Sequence, residues 1–386
     1  MKLLIISNMA HYEREGQIVG WGPAVEEINY LATLFDEIHH IACLHPGQAP
    51  GTALPYDSER IRLVPVPPAG GERWQDKVNA LRLVPLYVRE MLKELSGADA
   101  VHVRCPANVS MVAIVLLALL RSPQPRWVKY GGTWQPAGRE GWSFRFQRWW
   151  LKHGVHRGVV TVNGKWPDQP GHVYSFLNPC LTEQQVKQAR SVGVQKELTI
   201  PIRLLYVGPL NQTKGVDRVL QILARLQQQG IRATLNLAGG GPRQVEYERL
   251  AEALAISQQV TFHGWVPHPE LAPFYAQAHI VLLPSDYEGW PKVLSEGMAY
   301  GAVPVASAVG SIPQVLADIG SGVALPPHDV PAFVEAVMNY VNHPERWKQE
   351  SRSAINAAPR FTYEQYVRAV QQLFESAWGF QLRWYS

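Results

Sequence analysis

The chain has 386 residues, 46% of them hydrophobic and 18% charged, with a formal net charge of +4 at pH 7. That length exceeds what one hydrophobic core usually serves, so two domains are expected, and the composition excludes a disordered chain. Cys43, Cys105 and Cys180 are odd in number, far apart and without metal-ligand spacing, which speaks against a disulfide framework or zinc site and for a reducing compartment.

Met1-Lys2 precedes the apolar run Leu3–Ile6, which stops at Ser7-Asn8 and is too short for a signal-peptide core; a buried first strand is expected. Further strands are predicted at Ile38–Leu44, Ile61–Pro65, Ala100–Arg104, Trp127–Tyr130 and Val159–Val162, with helices at Ala24–Phe35, Lys77–Leu95 and Val109–Leu120 between them. The longest apolar run, Met111–Leu120, is about half a bilayer span and reads as a core helix, so a cytoplasmic protein is expected. A second series then begins, with strands at Arg203–Val207, Thr234–Ala238, Val260–Phe262, Ile280–Leu283 and Val303–Ala306. Its helices are expected at Val216–Gln229, Gln244–Ala255, Leu271–Ala276 and Pro291–Tyr300. Alternation of this kind, run twice, predicts two doubly wound Rossmann-like α/β domains facing a cleft. The polar stretch Thr182–Thr199 marks the connection, giving an N-terminal domain at 1–185, a linker at 186–202 and a C-terminal domain at 203–360. Residues 361–386, with a helix from about Tyr363 to Trp378, have the option of returning to the first domain.

The segment with most chemistry is Val281–Pro304, VLLPSDYEGWPKVLSEGMAYGAVP. A buried strand ends at Pro284, a loop carries Glu288 and a helix contains Glu296. Pro291 suits the first helical position, where its missing N–H costs no hydrogen bond. The amides of Lys292 and Val293 would then point from the positive end of the helix, making an anion site at the C-terminal edge of a parallel sheet. Glu296, little more than one turn in, is placed to accept hydrogen bonds from a ribose diol. Taken alone, such a glutamate pair reads as a helix cap and a solvated residue.

Its surroundings say otherwise. The chain resembles the retaining glycosyltransferases of family 4, which have the GT-B fold and are marked by two glutamates separated by seven residues in this loop–helix setting. Glu288 and Glu296 have that spacing, flanked by Pro284-Ser285, Gly289, Ala299, Gly301 and Pro304. Val207-Gly208, Lys214-Gly215, Ala238–Pro242 and Phe262-His263-Gly264 match as well, densely from Arg203 to about Ala336. The resemblance implies that Lys214 pairs with the donor diphosphate, that Glu296 binds ribose, and that Glu288 contacts sugar hydroxyls. It places the base at the Gly264-Trp265-Val266 turn. Gly208, Gly289, Trp290 and Val293 complete the donor-binding candidates in this half. Glu288, Lys214 and Lys292 are the catalytic candidates. Three departures stand out: Pro209 where the family often has Arg, Pro291 where it commonly has Gly, and Tyr130–Thr133 where it often has a catalytic His. Lys292 is the substitute for the thinned phosphate grip.

In the first half, Gly16, Gly20 and Gly22 follow the first strand and Pro23 opens a helix, so Gly20 and Gly22 are candidates for close approach to a phosphate or sugar. His102, Arg104, Lys129 and Thr133 fall at strand ends on the same side. Between Arg121 and Lys165 nine basic residues face one acid, Glu140, which suggests an anionic partner. Within Arg139–Arg157, Arg145, Arg148, Lys152 and His156 recur at helical spacing, interleaved with Trp149 and Trp150. That pattern suits a helix lying on anionic lipid as well as one packed on the core. No nucleic-acid module surrounds it, so nucleic acid is not expected as a partner.

The expectation is a retaining transfer of sugar from a nucleoside diphosphate to a hydroxyl of a glycan or lipid-linked acceptor, in surface polysaccharide or glycolipid synthesis. No cofactor and no metal is expected, since no Asp-x-Asp motif is present. The site of action would be the cytoplasm, with the inner face of the plasma membrane as the further option. The competing expectations are a catalytically silent scaffold of the same fold and a nucleotide-sugar epimerase, the latter disfavoured by the glutamate pair. A dinucleotide-dependent oxidoreductase is excluded because Gly239–Gly241 lacks the Gly-x-Gly-x-x-Gly spacing.

Overall fold

The computed structural model describes residues 1–70, 74–136 and 140–384. The chain divides into two compact units, Asn178–Gln365 and the remainder, Met1–Leu177 with the chain from Tyr366 on.

The first unit contains β1 (Lys2–Arg14), β2 (Gln17–Trp21), α1 (Gly22–Leu31), β3 (Glu37–Leu44), β4 (Ala53–Pro55), β5 (Ile61–Val66), α2 (Trp74–Leu95), β6 (Ala100–Cys105), α3 (Asn108–Leu119), β7 (Arg126–Tyr130), α4 (Trp142–Lys152), β8 (Val159–Asn163) and β9 (Val173–Phe176). Its parallel strands run in the order β5-β3-β1-β6-β7-β8-β9, so the chain winds outward in one direction from β1, then returns and winds the other way. Near-continuous apolar strands such as Leu3–Ile6 and Val101–Val103 are buried on both faces, as a doubly covered parallel sheet requires. One face packs Tyr87 and Met91 of α2, Ile114 and Leu117 of α3 and Leu151 of α4. The other packs Val25, Ile28 and Leu31 of α1 with Val367, Val370 and Phe374 from the end of the chain.

The second unit contains α5 (Glu183–Gly193), β10 (Ile202–Val207), α6 (Val216–Gln228), β11 (Ala233–Ala238), α7 (Gln244–Ala253), β12 (Val260–Phe262), α8 (Ala272–Gln277), β13 (Ile280–Leu283), α9 (Lys292–Ala299), β14 (Val303–Ser307), α10 (Ile312–Ile319), β15 (Val323–Leu325), α11 (Val330–Asn342) and α12 (Pro344–Ala357). All its strand pairs are parallel, in the order β12-β11-β10-β13-β14-β15. The winding reverses between β10 and β13, and in such sheets ligands bind beyond the carboxyl ends of the strands at that point. The last helix, α13 (Tyr363–Trp378), starts in this unit; from Tyr366 its residues belong to the first.

Two expectations need correction. The segment read as a linker, 186–202, holds most of α5, which belongs to the second unit. Thr182 caps it by accepting from the Gln185 N–H at 3.0 Å, while the Gln185 side chain accepts from the Thr182 N–H at 2.8 Å. Polarity there reflects a helix with one buried edge, Val186 and Ala189, rather than a tether. The glycines after the first strand do not form a phosphate loop. β1 runs on to Arg14 and turns back through Glu15 and Gly16, with φ of 54° and 78°, into antiparallel β2. Gly20 lies within β2, where a Cβ would stand 2.6 Å from Met9 Cε, and Gly22 opens α1 against the Thr52 carbonyl.

Candidate donor site

The loops that leave β10 and β13, on either side of the reversal point, carry Lys214 and Glu288. Their side chains form an ion pair, Nζ to Oε1 at 2.6 Å, with the Glu288 side chain 10% exposed. Gly215, at φ +70°, lets this turn press against β13: a Cβ there would lie 2.2 Å from the Pro284 carbonyl oxygen. The same carbonyl accepts from the Arg218 guanidinium at 2.6 and 3.0 Å, and Arg218 also meets Asp286 at 2.7 Å and His328 at 2.8 Å. Three loops are thereby locked around the strand end that leads to Glu288.

Helix α9 begins at Lys292, with Pro291 as its N-cap rather than its first helical residue. Proline's φ of −77° suits either place, but its ψ of 124° belongs to the extended chain before the helix. The first-turn amides of Lys292 and Val293 still lie at the positive end, and the Lys292 ammonium stands 5.7 Å from the centre of the Tyr363 ring. Glu296, only 4% exposed, accepts from the Tyr275 hydroxyl at 2.5 Å and contacts His268 Nε2 at 3.1 Å. Burial pushes its pKa upward, but the His268 hydrogen bond and charge, the Tyr275 hydroxyl and Lys292 together hold it below its ordinary value. It is therefore a buried, ionised carboxylate in a fixed orientation. Glu288 and Glu296 face different partners, so the two carboxylates are not interchangeable.

The remaining loops close one edge. Gly239 donates to the Gly264 carbonyl at 2.7 Å, and the Gly208 N–H donates to Ala238 at 3.0 Å. Trp265, 61% exposed, lies over Gly240, where a Cβ would come within 2.5 Å of the indole. The structure thus assembles Gly208, Gly264, Trp265 and the half-buried Val266 at the carboxyl edge of β10, β11 and β12, with Lys214, Glu288, Gly289, Lys292, Val293 and Glu296 at that of β10 and β13. Gly289 holds its place through its carbonyl, which accepts from the Ser311 N–H at 3.0 Å and its hydroxyl at 2.9 Å. Trp290 is a correction: its ring is 3% exposed and stacks on Phe361 at 5.5 Å, so it anchors the loop in the core instead of touching a ligand. Gly20 and Gly22 belong to the first unit and pack within it, as described above.

Residues 194–360 match the family model of glycosyl transferases group 1. The chain is 31% identical over 226 residues to alpha-D-kanosaminyltransferase of Streptomyces kanamyceticus, covering 55% of this chain and 58% of that protein. It spans about half the length of the curated relatives it matches. Over 97% of its length it shares a fold with 98% of the sucrose-phosphate synthase of Thermosynechococcus elongatus, at a TM-score of 0.71 and 18% identity. HepE of Anabaena, solved in complex with UDP, is similar over 97% of this chain and all of its own, at a TM-score of 0.66 and 14% identity. The fold is therefore GT-B, and the second unit is similar to the group 1 glycosyl transferases.

Four residues of this site went unread in the sequence: Arg218, Tyr275, His268 and Asp286. Arg218 left a faint signal, a charged residue on the buried face of α6. The partners of Glu296 left none, because Tyr275 and His268 reach it from another element. Among the described residues no group of three or more His, Cys, Asp or Glu side chains converges to hold a metal ion.

In the first unit, Arg104 and Lys129 both turn onto the buried Glu27, at 3.1 and 2.7 Å, and the Tyr366 hydroxyl joins them at 3.0 Å. His102 is buried and stacked on Trp127 at 3.8 Å, and Thr133 is buried. Glu27, Arg104, Lys129 and Tyr366 form an internal polar knot. Of the basic aromatic segment, Arg139 lies outside the described residues. Arg145, Trp149 and Lys152 of α4 are exposed, as expected for a solvent-facing stripe, whereas Trp150 turns inward and donates to the Ile114 carbonyl at 3.2 Å. His156 is buried past the helix end, its pKa lowered to about 4 by burial and the neighbouring His172, and is no part of the basic face. Among the described residues no helix is long and apolar enough to cross a membrane.

Proposed function

We propose that this chain is a retaining glycosyltransferase of family 4 type, moving a sugar from a nucleoside diphosphate to a hydroxyl of a glycan or lipid-linked acceptor. The observation that carries this reading is the Lys214–Glu288 pair at the winding reversal, set beside the start of α9 and the buried, ionised Glu296. In the reaction the sugar C1–O bond breaks and its electron pair leaves on the diphosphate. Lys214, Lys292 and the amides at the start of α9 supply positive charge where that negative charge grows. Glu296, held by Tyr275 and His268, accepts the ribose hydroxyls, and Glu288 meets the sugar. The acceptor oxygen attacks C1 from the face the diphosphate leaves, and a donor phosphate oxygen takes its proton, so no protein base is assigned. The UDP bound by HepE supports a nucleoside diphosphate as the ligand class.

The scaffold and epimerase alternatives are weaker, because a silent scaffold needs no ionised, oriented Glu296 and an epimerase needs no such pair. A cytoplasmic place of work, at the inner face of the plasma membrane, is supported by the exposed Trp142, Phe144 and Trp149 beside Arg145 and Lys152 on α4. Surface polysaccharide or glycolipid is the product class that fits it.

A thermal-shift screen of nucleotide sugars tests the ligand class: a ligand at a hundred times its Kd stabilises by about 2.7 kcal/mol. With the donor found, NMR of the product's anomeric proton reads the stereochemistry, and an inverted product would rule out retention. Lys214→Ala should lower kcat more than donor affinity, since diphosphate charge is greatest at the transition state. Loss of affinity alone would make Lys214 a positioning residue.

A further inference from the structure

His268 and Tyr275, which orient Glu296, belong to one short stretch of chain. His268 opens the helical turn His268–Leu271, and α8 (Ala272–Gln277) follows directly and carries Tyr275. Six residues are too few for α8 to hold its own shape, since isolated helices shorter than about 12–15 residues are marginal in water. The Tyr275 ring is buried and stacks on Tyr300 at 6.1 Å, but the backbone behind it has to be held at the helix end. There Ala278 is extended, with ψ of 135°, and the next amide, that of His279, turns away to the Arg203 carbonyl at 2.8 Å. The last carbonyls of α8 therefore need donors from elsewhere. Lys196, half-buried in the chain between α5 and β10, supplies two: its Nζ donates to the Tyr275 carbonyl at 2.9 Å and to the Ala278 carbonyl at 2.8 Å. Arg203 Nε donates to the Gln277 carbonyl at 2.6 Å. Two cations thus sit at the negative end of the helix dipole.

We propose that Lys196 is a positioning residue for the donor site: it fixes the end of α8, and so the aim of the Tyr275 hydroxyl at Glu296, and thereby sets the grip on the ribose hydroxyls. Tyr275 is the link, because its carbonyl meets Lys196 and its hydroxyl meets Glu296 at 2.5 Å. Arg203 is the lesser partner: it bonds Gln277 rather than Tyr275, and its guanidinium is shared with Thr199 and His279. Burial, with Arg203 nearby, lowers the pKa of Lys196 to about 7. A neutral amine still has two N–H groups for the two carbonyls, so the clamp persists on either side of that value. The inference rests on the transferase reading in taking Glu296 as the ribose ligand.

The test is calorimetric titration of the full chain with UDP, GDP and ADP, each against its 2′,3′-dideoxy counterpart, which lacks both ribose hydroxyls. For the base that binds best, the wild type should prefer the ribonucleotide by about tenfold or more, as hydrogen bonds to a charged group allow. Lys196→Met keeps the apolar stem and removes the donors. It should weaken the ribonucleotide several-fold and leave the dideoxynucleotide unchanged, the latter showing that the variant is folded. Lys196→Gln, which keeps an amide donor, should lose less in the same direction and supplies the comparison if Lys196→Met does not fold. Tyr275→Phe should reproduce the loss without adding to it, and in a Glu296→Ala background Lys196→Met should have no further effect, because residues acting through one path do not add. An undiminished ribonucleotide preference in Lys196→Met, or an equal loss of both nucleotides, would overturn the role of Lys196 and leave the donor site standing. A wild type without any preference for the ribonucleotide would instead overturn Glu296 as the ribose ligand, and this role with it.

Discussion

Glu296 shows how much a single carboxylate depends on its neighbours. Left alone, a group so deeply buried would take up a proton; Tyr275 and His268 supply the donors that keep it ionised. Glu296→Ala should weaken donor binding by about 1.5–3 kcal/mol, because ribose hydroxyls lose a charged acceptor. It should also destabilise the protein, since the buried Tyr275 hydroxyl loses its partner. His268→Gln tests orientation separately. Glutamine can still donate, so stability should change little, while donor affinity falls by several-fold as the carboxylate loses its fixed position. Equal affinity in both variants and the wild type, for nucleotide sugar and bare nucleoside diphosphate, would remove Glu296 from the site.

At the scale of elements, the strand–helix alternation and the Glu288–Glu296 spacing were legible because each is written locally, in a period or a distance along the chain. The reading failed where tertiary pairing decides. β2 and β4 are short and pair antiparallel beyond the expected end of β1, so the glycines there looked like a ligand loop. Trp290 sits in the middle of the motif yet belongs to the core, and no pattern in the sequence separates those roles. Polarity suggested a linker at 186–202, while the Thr182–Gln185 capping box marks a helix start. Thr182→Ala should cost about 0.5–2 kcal/mol of stability, seen as a lower urea midpoint with an unchanged slope. Gly215→Ala should do more harm, because its φ is +70° and its Cβ would collide with the Pro284 carbonyl that leads into the Glu288 loop. Donor affinity should fall with stability there; a stable variant with unaltered affinity would show that the loop has room to shift.

Across the whole molecule, five of the six histidines buried among the described residues shape the response to acid. His11 and His156 are lowered to about 4 and His279 to about 3, chiefly by burial, and His40 and His102 are held well below the ordinary value for the same reason. Each is neutral when folded and binds a proton more readily when unfolded. The stability these rings contribute is therefore full above about pH 6.5 and is lost as pH falls from there toward 4. The melting temperature should drop steadily over that window, and His156→Leu should flatten part of the drop. A melting temperature constant from pH 7 to 5 would contradict the burial of these rings. The site itself is judged most directly by calorimetric titration of the intact nucleotide sugar and the bare nucleoside diphosphate against wild type, Glu296→Ala and Glu288→Gln. Glu296→Ala should weaken both ligands, whereas Glu288→Gln should weaken only the intact donor and leave the bare nucleotide nearly unchanged. Loss of the bare nucleotide to the same degree in Glu288→Gln would overturn the separate roles of the two glutamates, and no binding of either ligand to the wild type would overturn the donor site.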